Sequence, residues 1–311
     1  MQDRDRLEWV DVARGVGIIA VVAGHVWTTG ALREAVYSFH MPLFFILSGY
    51  LSRPQPPLQF TLRQLSGQMR PYAAFLAVLV LADQIIETAR GKVPIFHNWP
   101  QDILPILLGG TWLRGPFTIF WFVPCLTMSR ILFNCLLVRW GDPLGRRWFH
   151  AAMACLVLAY CIGGVTRDSP LGLLAVPMAV VLLWAGAVWR RIKWGNWIWL
   201  PLVPLSLCGL AHLFPALNMK AADYGWPLLS LASAIATSLL LFRFSQLSAP
   251  VGAPLAALGR ASLVIMYLHV AFIHYLTPYL GKMWLALIAL FVPFLLWQVI
   301  RRCPPARRIF L

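Results

Sequence analysis

Ten apolar segments run along this chain, separated by short connections. An α-helix needs about 20 apolar residues to cross the hydrocarbon core of a bilayer. Within that core, backbone groups satisfy their hydrogen bonds only in helices or closed barrels. The pattern predicts an all-α, polytopic integral membrane protein with about ten transmembrane helices, at about residues 9–28, 35–52, 70–88, 117–138, 149–163, 171–189, 196–214, 226–245, 255–277 and 283–300.

The composition excludes a soluble globular protein. Of the 311 residues, 60% are hydrophobic and 12% are charged, and the mean hydropathy is +0.72. Soluble domains carry about 25% charged residues. We expect a single membrane domain over residues 1–311 and no separate soluble domain. The net charge of +15 does not indicate nucleic acid binding, because the basic residues alternate with apolar segments in a topological pattern.

The basic residues predict the orientation of the chain. With the N-terminus in the cytoplasm, sixteen of the 26 lysine and arginine residues, Arg4 and Arg6 among them, lie on the cytoplasmic side; seven lie on the other side and three within spans. This bias predicts that both termini are cytoplasmic. The short apolar stretch 100–113 is interpreted as an interfacial or re-entrant piece. The alternative, an eleventh span, would reverse the orientation from residue 117 onward.

The first apolar segment carries ionisable residues. Such groups inside a span are costly, and they are functional candidates for that reason. Arg14 and His25 are eleven residues apart, which places them about 16 Å apart along a helix and, with Asp11, on roughly one face. This spacing is too long for direct contact, so we interpret Arg14 and His25 as two positions along one channel, at its cytoplasmic and outer ends.

Several motifs together resemble the integral-membrane acyltransferase 3 family. Arg14 and His25 form R-x10-H, residues 39–50 form FHMPLFFILSGY, and Arg63, Arg70, Pro71 and Tyr72 form R-x6-R-P-Y. Weaker matches are FWFVP at 120–124 and LGRASLVIMYLH at 258–269. The resemblance implies transfer of an acyl group, usually acetyl from acetyl-CoA, to a hydroxyl of a sugar, polysaccharide or other envelope molecule. It also implies a multi-pass protein of the bacterial inner membrane, with acyl-CoA, a glycan acceptor and envelope-polysaccharide assembly proteins as partners.

Three residues of the first span are predicted to be catalytic. Transfer to a hydroxyl needs a base, and histidine is suited to that role near neutral pH, so His25 is the predicted general base. Arg14 is predicted to bind a CoA phosphate or to orient the pantetheine arm, and Asp11 to orient Arg14. The alternatives are a helix-packing histidine and a structural ion pair at the membrane edge.

Further residues are predicted to bind the two substrates. On the cytoplasmic side, Arg63, Arg70, Tyr72 and Arg260 are the candidates for CoA; for the arginines, ordinary cytoplasmic positive charge is the alternative. Residues predicted to line the channel or to bind the acceptor are His40, Trp121, Tyr267 and His269. An interfacial histidine and an aromatic belt are the alternatives for His40 and Trp121.

Two other kinds of site are disfavoured. A nucleophilic role for Ser48 is disfavoured because this residue is predicted near the cytoplasmic side, away from His25. No metal site is expected, because the seven histidines show no ligand cluster with suitable spacing.

A transporter or flippase for a lipid-linked sugar or small metabolite is the main rival function. Intramembrane arginine and histidine also suit proton-coupled transport. Such a fold predicts inverted repeats with paired broken helices, and the sequence shows no internal repeat. A non-enzymatic envelope protein with a decayed site is a third reading, which the intact Arg14 and His25 disfavour. The acceptor, the choice between acetyl, succinyl or a longer acyl group, and the oligomeric state stay open.

Overall fold

The structure, a computed structural model, describes residues 8–248 and 252–311. Arg4 and Arg6, which contribute to the charge bias, lie outside these residues. The described residues form α-helices joined by short 3-10 turns, a π-helical turn at Leu65–Met69 and irregular connections, and the β-structure among them is one isolated bridge between Asn218 and Asp223. The helices are α1 Glu8–Val26, α2 Ala31–Tyr37, α3 His40–Leu51, α4 Pro57–Gln64, α5 Arg70–Ala89, α6 Ile103–Leu108, α7 Phe122–Trp140, α8 Arg146–Val165, α9 Val176–Arg191, α10 Trp199–Leu210, α11 Leu229–Ser248, α12 Ala253–Arg260, α13 Ser262–Leu276, α14 Lys282–Arg302 and α15 Pro304–Phe310.

Seven described helices or helix runs are long and apolar enough to cross a membrane, and the bent pair α12–α13 makes an eighth. The segments predicted at about 35–52 and 196–214 contain shorter helices, because α3 and α10 have 12 residues each. Twelve helical residues reach about 18 Å, whereas the hydrocarbon core is about 30 Å thick. Length and composition therefore support seven or eight of the ten predicted spans.

The helices differ in how much of their surface they bury. In α1, 67% of the most apolar window is buried, against 22% in α8 and 28% in α14. The outer faces of α8 and α14 carry exposed large apolar side chains, among them Val157, Val165 and Val299. Such faces are unfavourable in water and suit lipid tails. We therefore place α1 inside the bundle and α8 and α14 on its lipid-facing surface.

Helix α1 packs against α12 at a close approach that only glycine permits. A Cβ atom on Gly259 would lie 1.8 Å from the backbone oxygen of Asp11, and one on Gly15 would lie 2.0 Å from the backbone oxygen of Leu255. Small residues let membrane helices approach to backbone contact in this way. The contact brings Arg260, the residue after Gly259, beside the first turns of α1.

The span predicted at about 255–277 is bent. Helices α12 and α13 meet at Ala261 with an angle of 77°. Arg260 ends α12 immediately before the bend, and His269 lies two turns into α13. Because of this bend, Arg260 and His269 lie at different depths of the bundle although they belong to one apolar segment of the sequence.

The long connection between α5 and α7, which lies wholly within the described residues, contains no helix long enough to span a bilayer. Its one α-helix, α6, has six residues, about 9 Å, so its length does not support the eleventh span considered above. Gly110 follows with a positive φ of 60°, and a Cβ there would lie 1.8 Å from the backbone oxygen of Ser169. This close contact holds the connection against the segment between α8 and α9.

Candidate functional site

A cavity of about 230 Å³ lies beside the first half of α1, and we call it the arginine cavity. Its polar lining comes from five helices and the π-helical turn Leu65–Met69 before α5. Apolar residues such as Phe44, Phe122 and Met266 complete the wall. The polar residues that line it are Arg14, Ser48, Gln68, Arg130, Arg260 and Ser262.

Asp11 lies between two of the arginines of this cavity. Its side chain is 2% exposed, its Oδ1 atom accepts a hydrogen bond from Arg14 at 3.5 Å, and its Oδ2 atom lies 3.9 Å from an Arg260 guanidinium nitrogen. Buried carboxylates are stable when paired with cations in this way. The Asp11 carboxylate therefore contacts Arg14 and also lies near Arg260; its predicted role in orienting Arg14 stays a prediction.

Arg130 on α7 is the member of this cavity that sequence reasoning missed. The sequence placed it inside a span without giving it a role. A basic residue within an apolar segment was the available signal, but the neighbours of Arg130 are distant in sequence. In the structure it lines the cavity together with Arg14 and Arg260. No acidic residue is among the described residues that line this cavity, so it suits an anion.

A second cavity, of about 150 Å³, lies at the other end of α1, and we call it the histidine cavity. His25, His40 and Trp121, all predicted for the site, line it together. The predicted His269 packs against His25, with 5.1 Å between the two ring centroids. Three histidines from α1, α3 and α13 thus lie close together. The other polar or aromatic residues that line the cavity are Arg33, Tyr37, Thr118, Asn218 and Lys220.

Backbone hydrogen bonds determine the tautomers of two of these histidines. The Nδ1 atom of His40 lies 2.8 Å from the backbone oxygen of Val36, and that of His269 lies 2.8 Å from the backbone oxygen of Ile265. A carbonyl oxygen only accepts, so both Nδ1 atoms carry hydrogen. The buried Nε2 atom of His269 has no hydrogen-bond partner among the described residues, and it can therefore accept a proton from a neighbouring group.

Lys220 is a second residue that the sequence did not assign to the site. It lies in the connection between α10 and α11, and its ammonium group donates to the backbone oxygen of Leu113 at 3.2 Å and to Oγ1 of Thr118 at 2.5 Å. Burial, and then the nearby positive charge of Arg114, lower the pKa of Lys220 to about 8. Nothing in the local sequence marks this lysine, because its partners lie in another connection.

The two cavities share no lining residue among those described, yet they are close together. Trp121 lines the histidine cavity and the next residue, Phe122, lines the arginine cavity. On α3, Met41 lines the histidine cavity, and Phe44, one turn later, lines the arginine cavity. We call this group the dividing layer. One layer of side chains therefore separates the two cavities.

Four predicted residues are not brought to either cavity. Arg63 and Arg70 are exposed, and neither lines the arginine cavity. Tyr72 is buried against Phe120, with ring centroids 5.5 Å apart. Tyr267 is fully buried between aromatic rings and stacks on Phe75 at 4.9 Å. Both tyrosines pack against aromatic rings inside the bundle. A match to a sequence motif does not show on which side of its helix a residue lies.

Ser48 lines the arginine cavity and does not line the histidine cavity. A serine nucleophile needs a base within hydrogen-bond reach. Its position does not pair it with His25.

Comparison with known proteins gives one match. The family model described as an acyltransferase domain, that of the acyltransferase 3 family, matches residues 7–301. No curated protein and no solved structure matches the chain. The matched range contains both cavities and every helix from α1 to α13.

Proposed function

The chain belongs to the acyltransferase 3 family, and from this membership we propose that it transfers acetyl from acetyl-CoA to a hydroxyl of a sugar, exopolysaccharide or other envelope glycan. The observation that carries the proposal is the pair of cavities on α1. One is lined by three arginines and the other by histidines, with a single layer of side chains between them. A donor with phosphates and an acceptor with a hydroxyl need two such sites next to each other.

The arginine cavity supports acyl-CoA as the donor. CoA carries a diphosphate and a 3′-phosphate, and guanidinium groups bind phosphates through paired hydrogen bonds. Arg14, Arg130 and Arg260 would hold this anionic end, with Gln68 as a further polar contact. The donor would supply the thioester whose acyl group is transferred. Arg63 on α4 and Arg70 at the start of α5 are exposed. Their proposed role is to attract the anionic donor before it binds.

We further propose that the chain crosses a bacterial inner membrane ten times, with both termini cytoplasmic. The crossings would be α1, α3, α5, α7, α8, α9, α10, α11, α12–α13 and α14. The two short helices, α3 and α10, would be extended by flanking turns. The bias of basic residues toward one side supports this orientation. The arginine cavity would then face the cytoplasm, where acetyl-CoA is made, and the histidine cavity would face the envelope.

His25 is proposed as the general base of the transfer. The pantetheine arm would pass through the dividing layer and bring the thioester to His25, which would take the proton of the acceptor hydroxyl while the hydroxyl oxygen attacks the thioester carbon. The carbon–sulfur bond then breaks, and the imidazolium returns the proton to the departing thiolate. His269 is proposed as a positioning residue: its unpartnered Nε2 atom beside His25 would accept an N–H from that ring and fix the tautomer, as the second partner of a base commonly does.

Transfer of label tests the proposed function. Membranes that contain the chain, supplied with acetyl-CoA labelled in the acetyl group, are expected to incorporate label into envelope glycan. Membranes that lack the chain provide the background. Release of the label by mild alkali would identify an ester. Incorporation equal to background by a verified, folded protein would contradict acetyl transfer and favour the transporter.

Substitution of Arg130 by methionine is expected to raise the KM for acetyl-CoA about tenfold and to change kcat little. Methionine keeps much of the side-chain volume but removes the charge, and a hydrogen bond to a charged group contributes about 1.5–3 kcal/mol. Initial rates over a range of acetyl-CoA concentrations measure this split. Arg147→Met, an exposed change on α8, serves as the control. An unchanged KM in Arg130→Met would remove this arginine from the donor site.

A further inference from the structure

The histidine cavity carries positive charge as well as histidines. Lys220 and Arg33 both line it, and no acidic residue is among the described residues that do so. Arg33 has its own counter-charge, because its guanidinium group lies 3.0 Å from a carboxylate oxygen of Glu34. Its guanidinium also lies 4.3 Å from the ring centroid of Tyr37. Arg33 is therefore held at the edge of the cavity by its neighbours.

Lys220 has a different environment. Its two described partners, the backbone oxygen of Leu113 and the hydroxyl of Thr118, are neutral. An ammonium group has three donors and a full charge, so one donor and the charge are not matched by these contacts. The Asp223 carboxylate, which is near in sequence, accepts from the backbone nitrogen of Gly225 at 3.3 Å instead. A partly buried cation in this state favours an anion in the adjacent space.

The two neutral contacts also fix where the charge is. They hold the ammonium group against the segment that precedes α7, and this segment supplies Thr118 and Trp121 to the same cavity. The ammonium group of Lys220 is thus held in the wall of the histidine cavity, which His25 also lines. A ligand that places a hydroxyl near His25 would have the rest of its structure near Lys220.

We propose that the acceptor carries an anionic group, a carboxylate or a phosphate, near the hydroxyl that is acylated, and that Lys220 binds this group. The proposal rests on the proposed function, because it takes the histidine cavity as the acceptor site. Acidic sugars and phosphorylated sugars or lipid-linked sugar phosphates share this chemistry. A neutral glycan would leave the charge of Lys220 unmatched in the complex, at a cost in binding free energy.

Direct binding tests the proposal without catalysis. The full chain in lipid nanodiscs, without acetyl-CoA, is titrated calorimetrically with glucuronate, glucose 6-phosphate and glucose. At least one of the two anions is expected to bind about tenfold or more tightly than glucose, because charge-assisted hydrogen bonds are roughly twice as strong as neutral ones. The two anionic probes distinguish a carboxylate site from a phosphate site.

Variants of Lys220 locate the effect. Lys220→Met is expected to abolish the preference for the anion, and Lys220→Arg to keep most of it. Lys282→Met, which removes an exposed lysine at the start of α14, is the matched control and is expected to bind like wild type. Equal binding of glucose and both anions by wild type, or an undiminished anion preference in Lys220→Met, would overturn the proposal.

The pH dependence gives an independent readout. With its pKa lowered to about 8, Lys220 is charged below that pH and neutral above it, so anion binding is expected to weaken between pH 7 and pH 9. The other charged or titratable groups that line the cavity are Arg33, which pairs with Glu34, and His25, His40 and Tyr37; Arg114 also lies near Lys220. Lys220→Arg is expected to abolish the decline, since arginine stays charged; a decline that persists in this variant would contradict the role of Lys220.

The outcomes separate this proposal from the proposed function. Label transfer from acetyl-CoA without any preference for the anionic probes would keep acyl transfer and reject the anionic acceptor. Binding of an anion that depends on Lys220, without label transfer, would keep the binding site and reject acetyl transfer.

Discussion

Substitution of His25 by alanine is expected to lower the rate of acyl transfer about 100- to 10,000-fold, the range that positioned general bases contribute. His25 lines the histidine cavity and is in ring contact with His269 at 5.1 Å between ring centroids. Alanine removes the proton acceptor and leaves the cavity walls in place. Donor binding is expected to persist, because the described residues that line the arginine cavity are a separate set.

The measurement compares kcat of wild type and His25→Ala with labelled acetyl-CoA, together with equilibrium binding of acetyl-CoA to each. His150→Ala, an exposed histidine change on α8, is the control and is expected to be unaffected. His269→Ala is expected to show a smaller loss and a changed pH profile, since it acts through His25. Equal transfer rates in wild type and His25→Ala would remove His25 from the chemistry. A variant that lost both transfer and donor binding would instead indicate a folding defect.

Substitution of Gly259 by alanine is expected to be among the most destabilising single methyl additions in the chain. The new Cβ atom would lie 1.8 Å from the backbone oxygen of Asp11, and backbone cannot turn aside as a flexible side chain does. Overpacking costs about 1–3 kcal/mol in ordinary cores, and this contact is between two backbones. Helices α1 and α12 must separate, which moves Arg260 away from Asp11 and disrupts the arginine cavity.

Thermal unfolding in detergent measures the effect on stability, and the KM for acetyl-CoA measures the effect on the cavity. Gly164→Ala is the matched control, because a Cβ atom there meets no atom within 4 Å; it is expected to unfold like wild type. A melting temperature and KM unchanged in Gly259→Ala would show that α1 and α12 do not approach as closely as described.

The sequence predicted the parts of the site that depend on one helix or one motif. Arg14 and His25 lie at separate cavities along α1, as their eleven-residue spacing required, and the family motif indicated the neighbourhood of His40 and Trp121. The all-α architecture followed from the apolar segments. The lengths of α3 and α10 did not, because apolar composition continues past the residues where each helix ends.

Contacts between segments that are distant along the chain could not be predicted from the sequence. Arg130 reaches its cavity through the packing of α7, and Lys220 through the packing of the connection between α10 and α11; no local pattern marks either contact. The bend at Ala261 was also missed, although it determines where Arg260 and His269 point. Conversely, Tyr72 and Tyr267 match the family motifs, but their helices direct them into aromatic packing.

The dividing layer between the cavities has an electrical consequence. If water fills both cavities in the proposed orientation, most of the membrane voltage would fall across the layer that contains Trp121 and Phe122 and not across about 30 Å of hydrocarbon. A charge that crosses this layer does electrical work of about 2.3 kcal/mol per 100 mV. An acetyl group is neutral and crosses without such work, whereas a succinyl group carries its carboxylate through the field. Under the proposed function, the membrane voltage would therefore act on the transfer of a charged acyl group and not on the transfer of acetyl.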